Sequence, residues 1–407
     1  MSRLDELIEK LCPDGIEMYE LQELFITRNG YTPSKSKSEF WENGTVPWFK
    51  MEDIRANGNI LSDALQHVNE CAVKGKLFPE NSIIVATSAT VGEHALITVP
   101  SLANQRFTYL MVKPEYEDRF MPKFLFYYCY KLDKYCLQNL NQSSFASVDM
   151  KKFAKFKFPV PPLEVQREIV HILDSFTLLT AELTAELTAE LTARKKQYEF
   201  YRNKLLTFES DIPLLLLGEV CDLQAGKAIK AAEIYDVETN QATIPCYGAN
   251  GLRGYVEKSN QEGDKSIIGR QGAQCGNVCY ATGKYYATEH AVVVTDKGHF
   301  NSRYLFHALT HANLNQYKTA GAQPGLSVAK LNDVIIAVPD RKIQDKIANV
   351  LDNFEAICTD LNIGLPAEIE ARQKQYEYYR DLLLTFAETG SMLMTDRQTD
   401  RQTDRQS

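Results

Sequence analysis

Several residue patterns in this chain resemble catalytic motifs, but each lacks a position its chemistry requires. His307 and His311 have the spacing of a zinc-protease helix, but Ala308 stands where the glutamate base is required. Gly276 lies too far from Gly283-Lys284 for a phosphate-cradling loop, and Tyr285 replaces the hydroxyl residue that would hold magnesium. Val160-Pro161-Pro162-Leu163 lacks both the polar first residue and the aromatic last residue of the Asn/Asp-Pro-Pro-aromatic motif of amino-methyltransferases. No Gly-rich nucleotide fingerprint follows a strand pattern, and Cys275 and Cys279 have no second ligand pair. The sequence therefore predicts no catalytic centre, no metal site and no cofactor held by this chain.

A second set of polar residues suits recognition. Short β-prone runs, SIIVATSATVG (82–92) and SIIGRQGAQCG (266–276), read as strand–turn–strand units whose turns expose small polar residues. Asn, Gln and Arg in such turns can grip the edges of adenine or guanine, and Thr can hydrogen-bond a base or touch a thymine methyl. The candidates in the first half are Arg28, Asn29, Tyr31, Thr87, Ser88, Thr90, Asn104, Gln105 and Arg106. In the second half they are Lys227, Lys230, Tyr247, Asn250, Arg270, Gln271, Gln274 and His290. Any single one could merely cap a turn. Their recurrence at matching places in both halves singles out the set.

Charge and composition constrain the partners. The 407 residues are 44% hydrophobic and 24% charged, an ordinary globular balance with material for two domains. No apolar run reaches the ~18 residues of a membrane span, and the start MSRLDELIEKL lacks the build of a signal peptide, so a cytoplasmic protein is expected. Nine scattered cysteines without a CxxC pair read as reduced thiols. The net charge of −8 predicts weak binding to DNA by the chain alone, since phosphate contact needs local cations. Lys151, Lys152, Lys155 and Lys157 supply one such strip, and another subunit must supply the rest.

The elements that position these residues are duplicated. ARKKQYEFYRNKLLTF (193–208) returns as ARQKQYEYYRDLLLTF (371–386), identical at 12 of 16 positions with an offset of 178. The same offset aligns Val160-Pro161 with Val338-Pro339, Gln166 with Gln344, Leu173-Asp174 with Leu351-Asp352, and Phe176 with Phe354. The preceding segments match more weakly: SIIVATSATVG over SIIGRQGAQCG, ANQRF (103–107) over ATEHA (287–291), VPWF (46–49) over IPCY (244–247).

Apolar residues at steps of three and four mark a coiled-coil seam through each repeated helix. The first seam runs Val165, Ile169, Ile172, Phe176, Leu179, Leu183, Leu187, Leu191, Tyr198, Tyr201, Leu205, Phe208. The second runs Ile343, Ile347, Val350, Phe354, Ile357, Leu361, Leu365, Ile369, Tyr376, Tyr379, Leu383, Phe386. Two seams in one chain most simply pair antiparallel; the alternative is that each helix lies on its own domain. Gly364 and Pro366 should break the second helix. Within the first, TAEL occurs at 180–183, 184–187 and 188–191, a spacer of strong helix formers whose length can change by whole repeats. TDRQ at 395–398, 399–402 and 403–406 has no apolar residue and is expected to be disordered. A repeated ACAG tract in the gene would encode it and permit frame shifts, a hypothesis that mixed codons in the gene would end.

At these residues the chain resembles the specificity (S) subunit of type I restriction–modification enzymes. The carriers are VPWFKMEDIRANG (46–58), IPCYGANGLRGY (244–255) and the junctions PVPPLEVQREIVHILD (159–174) and AVPDRKIQDKIANVLD (337–352). The TAEL spacer is similar to the type IC branch. Departures are the TDRQ tail and Asp340-Arg341 where the first junction has Pro162-Leu163. The resemblance implies an α+β protein of two globular α/β target-recognition domains joined by two long antiparallel coiled-coil helices, with an internal pseudo-twofold repeat. Its expected parts are recognition domains at 1–155 and 209–334, conserved helices at 156–208 and 335–386, and a tail at 387–407. It further implies a non-catalytic subunit whose domains each read half of a bipartite double-stranded DNA site. Two modification subunits using S-adenosylmethionine to methylate adenine N6, and two restriction subunits using ATP and Mg, would complete the complex.

Overall fold

The computed structural model describes residues 3–141, 146–208, 212–272, 274–319, 324–359 and 364–389. The TDRQ tail and the expected seam residue Leu361 lie outside the described residues. The chain divides into two compact units, residues 1–183 with 371–407, and residues 184–370.

In the first unit a five-stranded sheet runs in the order Phe25–Asn29, Phe107–Val112, Ile83–Ala86, His94–Ile97, Ile60–Leu61. Both of its faces are covered, which is why Ile83–Ala86 is apolar throughout. Ile83 and Val85 face a core with Phe124 and Leu132 of the helix Pro122–Gln138, and with Val165, Ile169 and Leu173. Ile84 and Ala86 face a second core with Trp48 and Phe49.

The second unit repeats this plan with fewer strands. Its sheet runs Cys221–Ala225, Ala291–Asp296, Lys265–Gly269, Val278–Ala281. Ile268, Val292 and Val294 pack toward Leu305 and Leu309 of the helix Ser302–His311, together with Ile347 and Leu351. Ile267 and Val293 face Tyr285 on the other side.

The duplication extends to single hydrogen bonds. Gly30 N donates to Phe107 O at 2.9 Å and Gly226 N to Ala291 O at 3.0 Å; Tyr31 N donates to Ala103 O and Lys227 N to Ala287 O. At Gly30 an added Cβ would collide with the carbonyls of Ala103 and Asn104, and at Gly226 with those of Ala287 and Thr288. Only glycine allows this approach. The strand Val46–Phe49 runs parallel to Leu102–Ala103, as Ile244–Gly248 does to Lys284–Ala287. ANQRF therefore overlies ATEHA, and VPWF overlies IPCY.

One match shifts. Thr87 N donates to Arg106 O and Arg270 N to His290 O, so Thr87 corresponds to Arg270 and not to Gln271 as the match of SIIVATSATVG to SIIGRQGAQCG has it. The reason is the side-chain period of two: this register puts Val85 and Ile268 on the same helix-facing side.

The spacer lies inside one helix, Leu163–Leu206, whose first part belongs to the first unit and whose second part to the second. The distal helix is two segments, Arg341–Thr359 and Leu365–Thr389, with Pro366 in the first turn of the restart. Antiparallel pairing is visible within each unit. Phe176 packs on Tyr379 and Thr177 bonds Tyr376 in the first; Tyr201 stacks on Phe354 in the second. The starts of the helices behave differently from the expected seam. Ile343, Val350 and Ile357 are exposed, while Gln344, Ile347, Ala348 and Leu351 are buried against the second unit's own core. Leu179 is likewise exposed. The seam residues Val165, Ile169 and Ile347 are buried in the cores of their own units, and the helix-to-helix ring contacts are those of Phe176 with Tyr379 and Tyr201 with Phe354.

Candidate nucleic-acid interface

The ends of the central strands of each sheet gather the predicted readers at one edge. In the first unit, Thr108 Oγ1 donates to Asn29 Oδ1 at 2.8 Å and bonds Thr87 Oγ1 at 2.8 Å. Asn104 Oδ1 accepts from Arg106 N at 2.9 Å, and Gln105 Oε1 accepts from Thr32. Gln105 and Arg106 are exposed at this edge, whereas Thr87 is buried beneath it. Three other candidates have partners within the protein, Arg28 while exposed and Tyr31 and Ser88 while half-buried. Arg28 donates to Lys76 O at 2.9 Å with its guanidinium 4.1 Å above the Phe78 ring. Tyr31 OH accepts from Lys74 N and donates to Ala72 O, and Ser88 bridges to Ser147. Thr90 follows in that same loop, its N–H donating to Ser88 O.

In the second unit Arg270 and His290 are joined through the backbone, with exposed Gln271 bridged to Gly325. Lys227 is exposed and bridges Thr288. Asn250 is exposed in the turn between the strands Ile244–Gly248 and Gly251–Val256, where Gly251 takes a φ of 91°. Tyr247 is half-buried edge-on to Tyr285, and Gln274 is exposed in a following turn. Lys230 instead lines a cleft of about 650 Å³ with Tyr235, Glu257, Lys258 and Tyr286. The sequence reading missed Glu289, beside His290; its signal was a carboxylate at the place of Gln105. The four lysines 151, 152, 155 and 157 are all exposed, two on the short helix Met150–Ala154 capped by Asp149.

The helices are fastened to each domain by a repeated polar latch. Gln166 is buried, accepting from Met121 N and donating to Arg119 O and Pro161 O at 2.7–2.9 Å. Gln344 does the same with Asn301 N, His299 O and Pro339 O. Asp174 accepts from Lys123 Nζ and Tyr127 OH, both at 2.7 Å, and Thr177 passes the chain on to Tyr376. Asp352 accepts from Arg303 and bonds His307 Nε2 at 2.7 Å, while His307 Nδ1 meets Tyr198 OH at 3.2 Å. Burial holds His307 below the ordinary histidine value, against the pull of Asp352. Burial pushes the Asp352 carboxyl up, but hydrogen bonds from Arg303 and His307 outweigh it and keep it low. The ligand atoms of His307, Asp352 and Glu355 lie within 4.8 Å of one another, but Arg303 bonds both carboxylates, making a charge network. His311 turns to Asn203, so the two histidines do not converge.

Fold and site together define a class: a duplicated recognition protein with a polar reading edge in each unit, mounted on paired helices. The family described as Type I restriction modification DNA specificity domain matches residues 13–193 and 214–371, and the chain belongs to that family. It is 53% identical over 374 residues to the Type I restriction enzyme EcoprrI specificity subunit of Escherichia coli, covering 89% of this chain and 93% of that one. It is 32% identical over 284 residues to the EcoR124I/EcoR124II specificity subunit of Escherichia coli, covering 61% and 69%. A chain solved in work on complex assembly and conformational transition of the type I R-M system shares the fold. Its TM-score is 0.65 at 17% identity, over 93% of this chain and 98% of that one. The chain is a type I specificity subunit, the non-catalytic, DNA-recognition component of its system. None of its described helices is long and apolar enough to cross a membrane.

Proposed function

We propose that residues 1–155 and 209–334 form two recognition domains, each reading one half of a bipartite double-stranded DNA site. The observation that carries this is the same polar edge built twice on the same glycine-dependent contacts, with different side chains in each copy. The base contacts are assigned to Asn29, Asn104, Gln105 and Arg106 in the first domain and to Lys227, Asn250, Arg270, Gln271, Gln274 and His290 in the second. Arg28, Tyr31, Thr87 and Ser88 support the first edge from behind, as Tyr247 supports the second; Thr90 and Lys230 lie beside the edges and would reach the backbone. The paired helices set the unread gap and dock two modification subunits, which use S-adenosylmethionine to methylate adenine N6. Two restriction subunits add ATP- and Mg-dependent cleavage. The TAEL spacer supports placement in the type IC branch, and the complex works in the cytoplasm, where its DNA is.

The test is a map of methylated adenines in DNA from cells expressing this chain with its modification subunit. A split motif with a fixed gap is expected. A stable complex that methylates only continuous, unsplit motifs would overturn the reading.

A further inference from the structure

Three side chains at the second reading edge each hold a buried polar atom without a hydrogen-bond partner: Arg270 Nε, Glu289 Oε2 and His290 Nδ1. They are adjacent. Arg270 N donates to His290 O at 2.9 Å, and His290 Nε2 lies 3.3 Å from Glu289 Oε1. The corresponding residues of the first unit are Thr87, Gln105 and Arg106, and none of these has a buried polar side-chain atom left unpaired. A buried polar atom without a partner is costly, so these side chains gain by turning toward a partner outside the protein.

The chemistry of that partner is narrow. A carboxylate only accepts hydrogen bonds, and phosphate oxygens repel it, so on DNA Glu289 requires an exocyclic amino group. In the major groove Asp and Glu accept from cytosine N4, while Arg is matched to guanine O6 and N7. We propose that Arg270 and Glu289 read one G·C base pair in the half-site of the second domain, Arg270 on the guanine and Glu289 on the cytosine. His290 Nε2 lies 3.3 Å from Glu289 Oε1 and steadies the carboxylate, while its unpartnered Nδ1 is left for the base contact assigned above. This rests on the DNA-reading role proposed above, and it makes Glu289 a specificity determinant.

The test is the methylation motif written by the complex of this chain with its modification subunit, for the wild type and for Glu289→Gln, Arg270→Lys and Arg106→Gln. The wild type should show a G·C pair in the half-site that Arg106→Gln leaves intact. Glu289→Gln should relax that one position by about tenfold to a hundredfold, with the other half-site and the gap unchanged. Arg270→Lys keeps the charge but loses the planar fork, and should relax the same base pair, which covers the case in which Glu289→Gln fails to assemble. An unchanged motif in an assembled variant, relaxation at another position, or a half-site without G·C overturns the assignment while leaving the split reading intact. A wild-type motif that is not split overturns the DNA-reading role itself.

Discussion

The two units keep one latch and diverge at the reading edge. Gln166 and Gln344 make the same three bonds, and Asp174 and Asp352 anchor the same corner of the helix pairing. Around those carboxylates the partners differ: Lys123 and Tyr127 in the first unit, Arg303 and His307 in the second. At the edges the difference is larger. A hydroxyl and amide network in the first unit gives way to Arg270, Glu289 and His290 in the second. Groups that hold a helix in one place have few replacements, whereas groups that face a ligand can change with the ligand.

The latch comparison breaks most severely at the glutamines. Gln344→Leu leaves Asn301 N, His299 O and Pro339 O unpaired in a buried corner, and Gln166→Leu does the equivalent in the first unit. With about 1–3 kcal/mol for each stranded group, either change should destabilise its unit by roughly 3 kcal/mol or more. Denaturant unfolding followed by hydrogen exchange reads both, and equal losses in the two units would support the equivalence. A loss below about 1 kcal/mol in one of them would show that the shared bonds do not carry shared weight.

Acid should separate the two latches. His307 titrates below the ordinary histidine value because burial disfavours its charged form. The unfolded chain then binds the proton more readily than the folded one, so this contribution falls as pH drops through about 6.5 toward the folded value. Asp352, Glu355, Arg303 and Tyr198 surround the imidazole, and Asp352, held low, stays ionised through that window. The corner of the first unit has Tyr127 in that place, and burial pushes its hydroxyl above the ordinary tyrosine value. Hydrogen exchange at pH 7.5 and 5.5 should show protection lost around Ser302–His311 and retained at the first corner, residues 123–127 of the helix Pro122–Gln138. His307→Tyr should shrink the difference, leaving the part due to His311, which burial and Arg202 also hold below the ordinary histidine value.

A smaller effect is expected at the first edge. Thr108 bonds both Asn29 and Thr87, and its counterpart by strand register is Val292. Thr108→Val copies the second unit's residue into the first while keeping the shape. It should cost about 1 kcal/mol by denaturant unfolding and loosen base preference only in the first half-site. Altered preference in both half-sites would contradict separate reading.

What could be read from the sequence follows this same division. The latch was legible because its residues repeat at a fixed offset: Gln166 with Gln344, Asp174 with Asp352, Phe176 with Phe354. Pro366 was legible as a break in the second helix. The edge was harder. The repeated Ser-Ile-Ile string invites an alignment one residue out, because both faces of Ile83–Ala86 are apolar and its sequence carries no alternation to fix the register. The stacking of Arg28 on Phe78 was not legible, because it depends on a ring fifty positions away. Ile343 and Val350 fit the seam by spacing, yet from the seam's own Ile347 helical steps of three and four also describe the neighbouring face through Gln344 and Leu351, and docking on the domain chose that face.

The spacer offers the smallest change in stability and the sharpest change in what is read. Thr184, Ala185, Glu186 and Leu187 form one whole repeat inside the helix Leu163–Leu206. Deleting them removes helix formers that bury little, so the stability of each unit should change by less than about 1 kcal/mol. Four residues carry ~6 Å of rise and about 400° of turn, a net rotation of roughly 40°. One base pair contributes about 3.4 Å and about 34–36°. The rotations agree with one base pair, while the rise alone approaches two. A domain turned off its groove loses its base contacts, whereas an axial mismatch of a few ångströms is absorbed by bending the DNA at modest cost. The deletion should therefore shorten the unread gap by one base pair and leave both half-sites as they were. A methylated motif whose gap keeps its length, or loses two pairs, would show that the helix does not measure the site by rotation.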